Sequence, residues 1–439
     1  MTKLRHELRD GIHGFVLFDN LEKAVIDSAP MQRLRCIHQL AMCYQIYPGA
    51  EHKRFEHSLG VMEVATRIFD RLFERRLPDG VQDRLGSELE AENKAYWRHV
   101  VRLAGLLHDV GHLPFSHAAE EALLPAGWNH ERLSVEIVRH SEVADILKHT
   151  RPQIDPEDIV DVIWDAKKRI KHEATGWSLS PWKTLLNEVI CGNTFGADRI
   201  DYLLRDSWHA GVAYGRFDPD RLISGLTAVV HPETEEIAIA LENGGIHTAE
   251  ALLLARFFMY SQVYFHDVRR VYDLHLKEFL QAWLPGGKFP SDWQSHLKIS
   301  DHEVLVGLRE AASDPGHQLY TLASRVLNRK HFRTVYEMAA PHKQRNPSVL
   351  SDLLDLAKKH FGDDKVRSDQ YGPKSETNDF PVLMDDGTIE SSLKVSGVVV
   401  NLPAIDIGFI FVDPSIQDAA KKEMLRLHRS MQGIEPELK

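Results

Sequence analysis

The chain has 439 residues and only three cysteines, Cys36, Cys43 and Cys191. They are too few and too scattered for a disulfide framework or a thiolate zinc site, which points to a reducing compartment. Long apolar runs are missing too. The best of them, ALLLARFFMY over 251–260, carries Arg256 and falls well short of the roughly 20 residues needed to cross a bilayer. The first residues, MTKLRHELRDG, are charged throughout and lack the apolar stretch of a secretory leader. A soluble cytoplasmic protein with no membrane partner is therefore expected. Positive charge is in short supply as well. A net charge of −11 and an isoelectric point of about 6.1 exclude a protein held to nucleic acid by bulk charge, so any anion must be met by a local basic cluster. No internal repeat and no low-complexity tract is present.

What is there is ordinary core-building material, 43% hydrophobic with 27% charged, enough for a sizeable core in one large or two smaller domains. Most of residues 20–280 carries the period of amphipathic helices. SLGVMEVATRIFDRLFERRL (58–77) puts Leu59, Val61, Met62, Val64, Ala65, Ile68 and Leu72 on one face. AYWRHVVRLAGLLHD (95–109) does the same and should stop at Gly111 and Pro114. NHERLSVEIVRH (129–140) opens on Asn129 as N-cap, and ADRIDYLLRDSWHAG (197–211) closes on Gly211. Strand signals are few. The segment 226–245 alternates Ile237, Ile239 and Leu241 and predicts a β-hairpin; VSGVVVNLPAIDIGFIFVD (395–413) predicts strands. The polar stretch 362–380 reads as a mobile loop, and PGGKFPSD (285–292) as a break. The expected fold is mainly α: a helical core over residues 1–280 and a smaller mixed α/β region over 281–439.

The chemistry concentrates in GLLHDVGHLPFSH (105–117), where three histidines and an aspartate follow an apolar run. On a helix His108 and His112 would share a face, with Asp109 about 100° round from His108. Upstream, RFEHS supplies His57; downstream, ADRIDYLLRD carries Asp198, Asp201, Tyr202, Arg205 and Asp206 as a polar stripe in an apolar region. A single such histidine is more often a hydrogen-bonding core or surface residue. Two imidazoles and two carboxylates on separate helices instead make a mixed nitrogen/oxygen site suited to Mn, Fe, Mg, Ni or Zn, with positions left for water and phosphate oxygens.

RFEHS, LLHDVGHLPFSH, NHE and ADRIDYLLRD, in that order, resemble the HD-domain phosphohydrolases, and QRLRCIHQL…YPGAEHKRFEHSLGV (32–61) resembles the deoxynucleoside triphosphate triphosphohydrolases among them. The likeness covers roughly residues 8–280. It implies His57, His108, Asp109 and Asp198 as metal ligands, and His112, His117, His130 and Glu131 on the catalytic side. His117 would be the general acid toward the leaving 5′ oxygen, and His130 and Glu131 an ion pair or proton relay. Asn129-His130-Glu131 reads equally well as a helix cap with an acidic first turn. For substrate the resemblance implies Arg54 on the α-phosphate, Arg199 where the family has lysine, and Arg256 on another phosphate. Gln39 and Asp206 would bond the 3′ hydroxyl, Leu40 would pack under the ribose, Tyr202 would crowd the 2′ carbon, and Tyr264 and His266 would complete the pocket. Arg256 as a snorkelling side chain, and Tyr202 and Tyr264 as core aromatics, are the plain alternatives.

The resemblance also implies an activating GTP or dNTP read by Asp27, Gln32 and Arg35, with Arg221 contributing, between subunits of a homo-oligomer, dimer to tetramer. A salt bridge from Arg35 to Asp27 would explain that cluster otherwise. Glu242-Asn243-Gly244 and Asp267 stand where the regulated family has basic residues, so this control is expected to be altered or lost. The implied reaction is metal-dependent hydrolysis of a dNTP to deoxynucleoside and triphosphate. Its rivals are an HD phosphohydrolase of another nucleotide, such as a nucleoside monophosphate or an RNA end, and a nucleotide-sensing or nucleic-acid-binding module without turnover.

Overall fold

The structure, a computed structural model, describes residues 6–115, 120–164, 169, 178–372 and 379–431. It is mainly α-helical, and the chain divides into two compact units. The first unit holds residues up to Met259 together with 289–302 and 377–402; the second holds 260–288, 303–376 and the chain from Pro403 on. Among the described residues no helix is long and apolar enough to cross a membrane, and the three cysteines form no disulfide.

The first unit opens with a hairpin that the sequence did not announce, β1 (His6–Asp10) against β2 (Gly14–Phe18), antiparallel in the register Asp10↔Gly14. Within β2, Val16 and Phe18 are buried in the core while Phe15 and Leu17 stay exposed. Helix α1 (Asn20–Ile26) follows under a capping box: Asp19 accepts from the Glu22 amide and Glu22 from the Asp19 amide. The Glu22 carboxylate also pairs with the buried Arg102 guanidinium, which satisfies a charge that burial would otherwise make costly.

Three helices frame the site. α2 (Arg54–Glu74) packs against α3 (Ala91–Leu107) and later against α7, after α4 (His130–His140), α5 (Pro156–Ile163) and α6 (Pro181–Cys191) have intervened; α7 is Ala197–Ala210. Val61, Met62, Val64, Ala65 and Ile68 of α2 meet the same solvent-free interior as Val100, Leu103, Ala104 and Leu107 of α3. Each large aliphatic so buried contributes about 1.5–3 kcal/mol. Helix starts follow the expected chemistry. The Asn129 side chain accepts from the Arg132 amide to start α4, and Gly211 ends α7 in the left-handed region at φ 72°. α2 and α3 begin earlier than the apolar period alone suggests, since each first turn is largely polar.

β3 (Leu226–Val230) and β4 (Ile237–Glu242) form the antiparallel hairpin of segment 226–245. Helix α8 (Ile246–Met259) ends the first long stretch of this unit. In the second unit α9 (Asp267–Trp283) packs on α10 (Tyr320–Leu327). There β5 (Arg333–Glu337) and β6 (Val366–Tyr371) flank a later strand, β9 (Ile407–Val412), in an antiparallel sheet covered by α11 (Val349–Phe361) and α12 (Gln417–Met431). β7 (Pro381–Leu383) and β8 (Ile389–Ser391) belong to the first unit, β7 lying parallel to β4.

Two expectations are corrected. Part of the polar stretch 362–380 is the strand β6, held by the apolar β9 beside it; residues 373–378 of that stretch lie outside the described residues. The valine run 397–401 is a short helix, not a strand, because the Ser396 side chain caps it by accepting from the Val399 amide, and Val398 and Val400 are exposed. Only 407–412 of the predicted C-terminal strands is extended ladder.

Candidate metal centre

The packing of α2 on both α3 and α7 brings three distant pieces of chain together. His57 sits in the first turn of α2, His108 and Asp109 follow the end of α3, and Asp198 stands in the first turn of α7. His57 Nε2 lies 3.0 Å from Asp198 Oδ1 and 3.7 Å from Asp109 Oδ2; His108 Nε2 lies 3.7 Å from Asp198 Oδ1 and 3.5 Å from Asp109 Oδ1. One ligand atom from each of His57, His108 and Asp198 lies within 4.8 Å of the others, a loose donor set for a cation, and Asp109 flanks it with a different oxygen toward each histidine.

The ring nitrogens are oriented for it. His57 Nδ1 donates to Asp201 Oδ2 at 2.7 Å and His108 Nδ1 donates to the Gly105 carbonyl at 2.8 Å. With those protons on Nδ1, each Nε2 presents a lone pair, and both Nε2 atoms are buried without a hydrogen bond among the described residues. Two buried imidazole nitrogens whose neighbours are carboxylate oxygens fit a divalent cation. Burial alone would push the His57 ring down, but the Asp198 and Asp201 carboxylates outweigh it and take it up to about 10. Burial likewise opposes ionisation of Asp109 and Asp198. The charges of His108, Arg54 and His57 hold Asp109 well below the usual carboxylate range, and the His108 and His57 rings close beside Asp198 do the same for it. Such a set binds a cation by giving up protons.

Around Asp109 a second cluster forms with His112 and His130. The shared helical face expected for His108 and His112 is not formed, because α3 stops at Leu107 and His112 lies in the turn beyond. His112 instead stacks on His130, ring centroids 4.2 Å apart at 18°. Gly111 makes this possible: a Cβ there would lie 2.2 Å from the Ser134 nitrogen and 2.6 Å from the His130 carbonyl, so the turn rests directly on the start of α4. His130 Nδ1 is 2.7 Å from Glu120 Oε1. Burial would lower this imidazole, and the Glu120 charge and hydrogen bond, with Glu131 and Asp109 behind, lift it to about 9. The loop then passes Phe115, held at φ +53° with its amide donating to Asp301 Oδ1 at 2.7 Å. His117 falls outside the described residues.

On the substrate side, Arg54 is buried and paired with Asp109. Arg199, next to Asp198 on α7, has Nε and Nη1 buried with no acceptor among the described residues. Gln39 and Leu40 are buried, the Gln39 Oε1 without a donor among the described residues. Asp206 Oδ1 accepts from His52 Nε2 at 2.7 Å, Tyr202 is half-buried one turn back on α7, and Arg256 is half-buried on α8. Tyr264 and His266 belong to the second unit. Of the regulatory set, Asp27 pairs with Lys23 and Gln32 Nε2 donates to the Ile26 carbonyl. Arg35 is exposed, donates to Gln32 Oε1 at 2.9 Å and lies 3.5 Å over the Phe55 ring, so the Arg35–Asp27 salt bridge is not formed. Arg221 donates to the Gly244 carbonyl at 2.9 Å.

Three side chains of this site escaped sequence reasoning: Glu120 on His130, His52 on Asp206, and His13, whose Nε2 lies 2.7 Å from Asp201 Oδ1. Nothing in spacing marks them, since each is defined by its partner across the fold.

The HD domain family model matches residues 54–205, and the HD associated region model matches 217–350. A hypothetical protein of Aquifex aeolicus, known from its crystal structure, is 32% identical with a TM-score of 0.76, covering 95% of this chain and 99% of that one. Human deoxynucleoside triphosphate triphosphohydrolase SAMHD1 is 30% identical over 68% of this chain and 50% of its own length. The uncharacterized protein YwfO of Bacillus subtilis is 33% identical over 62% of this chain and 54% of its own. A phosphohydrolase of Bacteroides thetaiotaomicron shares the fold at 22% identity, TM-score 0.68, over 93% of this chain and 99% of that one. The chain spans about half the length of the curated relatives it matches.

Proposed function

The chain belongs to the HD domain family of phosphohydrolases, and on that premise we propose that it hydrolyses deoxynucleoside triphosphates to deoxynucleoside and inorganic triphosphate. Two observations carry the reading: the cluster of His57, His108, Asp109 and Asp198, and Arg199, the residue after Asp198 on α7, whose buried Nε and Nη1 have no acceptor among the described residues. A cation site and an unsatisfied guanidinium carried one residue apart on the same helix suit a polyphosphate, whose charge needs partners of both kinds. The triphosphohydrolase named among the relatives supports the choice of dNTP.

In this reading His57, His108, Asp109 and Asp198 hold the cation. A bound divalent cation supplies Lewis-acid polarisation at phosphorus and a more acidic water. Arg54 and Arg199 take phosphate oxygens, as does Arg256. His130, protonated at neutral pH through Glu120, supports the His112 ring beneath the reacting phosphate, and His117 gives a proton to the leaving 5′ oxygen; Glu131 completes this side. Gln39, Asp206, Leu40 and Tyr202 select the sugar. Activation by GTP or a dNTP through Asp27, Gln32, Arg35 and Arg221 in a homo-oligomer is part of the same proposal.

The test is product analysis. Full-length protein is incubated with Mg²⁺, Mn²⁺ or Fe²⁺ and each dNTP, and the products are separated by anion exchange. Nucleoside plus triphosphate is expected; monophosphate plus pyrophosphate overturns the reading. Added GTP or dGTP tests activation, which is refuted by an identical response in Arg35→Ala.

A further inference from the structure

The turn of the N-terminal hairpin reaches the metal centre from behind. Asp10 closes that turn: its Oδ1 accepts from the Ile12 and His13 amides, both at 2.8 Å, and its Oδ2 accepts from Arg205 Nη1 at 2.8 Å. Arg205, one turn along α7 from Asp201, clamps that carboxylate with Nε to Oδ2 and Nη2 to Oδ1, each at 2.9 Å. Asp201 is fully buried and uses both oxygens twice. Oδ2 also accepts from His57 Nδ1 at 2.7 Å, and Oδ1 from His13 Nε2 at 2.7 Å.

Gly60 shows how tightly this carboxylate is seated. A Cβ there would lie 1.9 Å from Asp201 Oδ1 and 2.4 Å from Arg205 Nη2, so the pair lies flat on α2 one turn beyond His57. The helix backbone blocks Asp201 on one side, and His13 closes it on the other. The His13 side chain is 4% exposed, so its imidazole reaches the interior from a turn whose Gly11 is exposed.

We propose that His13 is a positioning residue of the metal centre: through Asp201 it holds the His57 ring in the orientation and tautomer that a cation requires. The N-terminal hairpin is thereby a structural part of the site. Without the His13 donor, Asp201 Oδ1 keeps only Arg205, the carboxylate turns toward the guanidinium, and its bond to His57 slackens. This rests on the metal reading of the proposed function, not on the identity of the substrate.

The experiment is a Mn²⁺ titration of metal-stripped full-length protein, with free Mn²⁺ read by electron paramagnetic resonance. Circular dichroism in chelator checks the fold. His13→Ala is expected to weaken Mn²⁺ binding about tenfold or more, the usual scale for losing an outer hydrogen bond to a ligand. His13→Gln, whose amide N–H reaches the same oxygen, should come within about threefold of wild type by restoring that bond. His13→Glu has the same size without a donor and should bind as poorly as His13→Ala, which keeps the test sharp if the alanine variant folds badly. Wild-type affinity in His13→Ala, or equal affinities in the Gln and Glu variants, overturns the proposal. A wild-type protein that takes no Mn²⁺ overturns it together with the metal reading, whereas metal binding without dNTP hydrolysis overturns only the proposed reaction.

Discussion

Replacing Glu120 by glutamine tests whether His130 is a built cation. The imidazole stands at about 9 in the fold, against about 6.5 for an unperturbed histidine, a difference of about 2.5 pH units. At about 1.4 kcal/mol per unit that is about 3.5 kcal/mol, and since the side chain is 17% exposed, solvent screening brings it nearer 2 kcal/mol. The sign follows from the direction of the shift. A histidine raised by folding contributes all of this stability below pH 6.5 and loses it as pH climbs through about 9. Glutamine keeps an acceptor for the His130 amide and ring but removes the charge, leaving burial to push the imidazole down. Wild type should therefore exceed Glu120→Gln by about 2 kcal/mol in urea unfolding at pH 6, with the gap closing by pH 9.5. A gap of the same size at both values, or none at pH 6, would refute the assignment. If His130 acts in its protonated form, the alkaline limb of the rate profile, near pH 9 in wild type, should move to lower pH in the variant.

Other expectations are checked more simply. His57→Ala, His108→Ala and Asp198→Ala should each retain less than about a tenth of wild-type metal by elemental analysis after dialysis, since each removes one of four donors. Gly111→Ala should cost about 1–3 kcal/mol in thermal or urea unfolding, because its Cβ meets backbone that has no side chain to move aside. Arg199→Ala should raise KM for dNTP about tenfold and Arg199→Lys less, as a point charge replaces the fork; an unchanged KM in the alanine variant removes Arg199 from phosphate binding.

The two histidine clusters share Asp109, and this sharing is what the site can use. Asp109 belongs to the His57–His108–Asp198 group by distance and to the His112–His130 group by neighbourhood. A cation on one side and a protonated imidazole on the other are thus balanced across one carboxylate. Removing Asp109 would bring two like charges together without a screen, so its loss should harm both metal retention and the stability of protonated His130.

Much of this was legible in the residue order. The periods of 58–77 and 95–109, the Asn129 cap and the Gly211 stop are local facts, set by which faces are apolar and which backbone groups need partners, and a helix forms at each, the first two displaced toward the N-terminus. His57, His108, Asp109 and Asp198 could be named because their motifs are short and ordered along the chain. The strand β6 and the helix at 397–401 were misread for a common reason: polar VRSDQY becomes a strand only beside β9, and a valine run becomes helical only where its outer face meets solvent. Beyond local pattern the sequence was silent. That His13 reaches Asp201, 188 residues away, that Glu120 holds His130 and that His52 holds Asp206 depend on how helices cross, and no spacing encodes a crossing. The residue order thus determined which groups could bind a cation. Tertiary packing decided which nitrogen of the His57 ring faces it, because the partner Asp201 comes from 144 residues away; the His108 ring is turned locally, by the Gly105 carbonyl of its own helix.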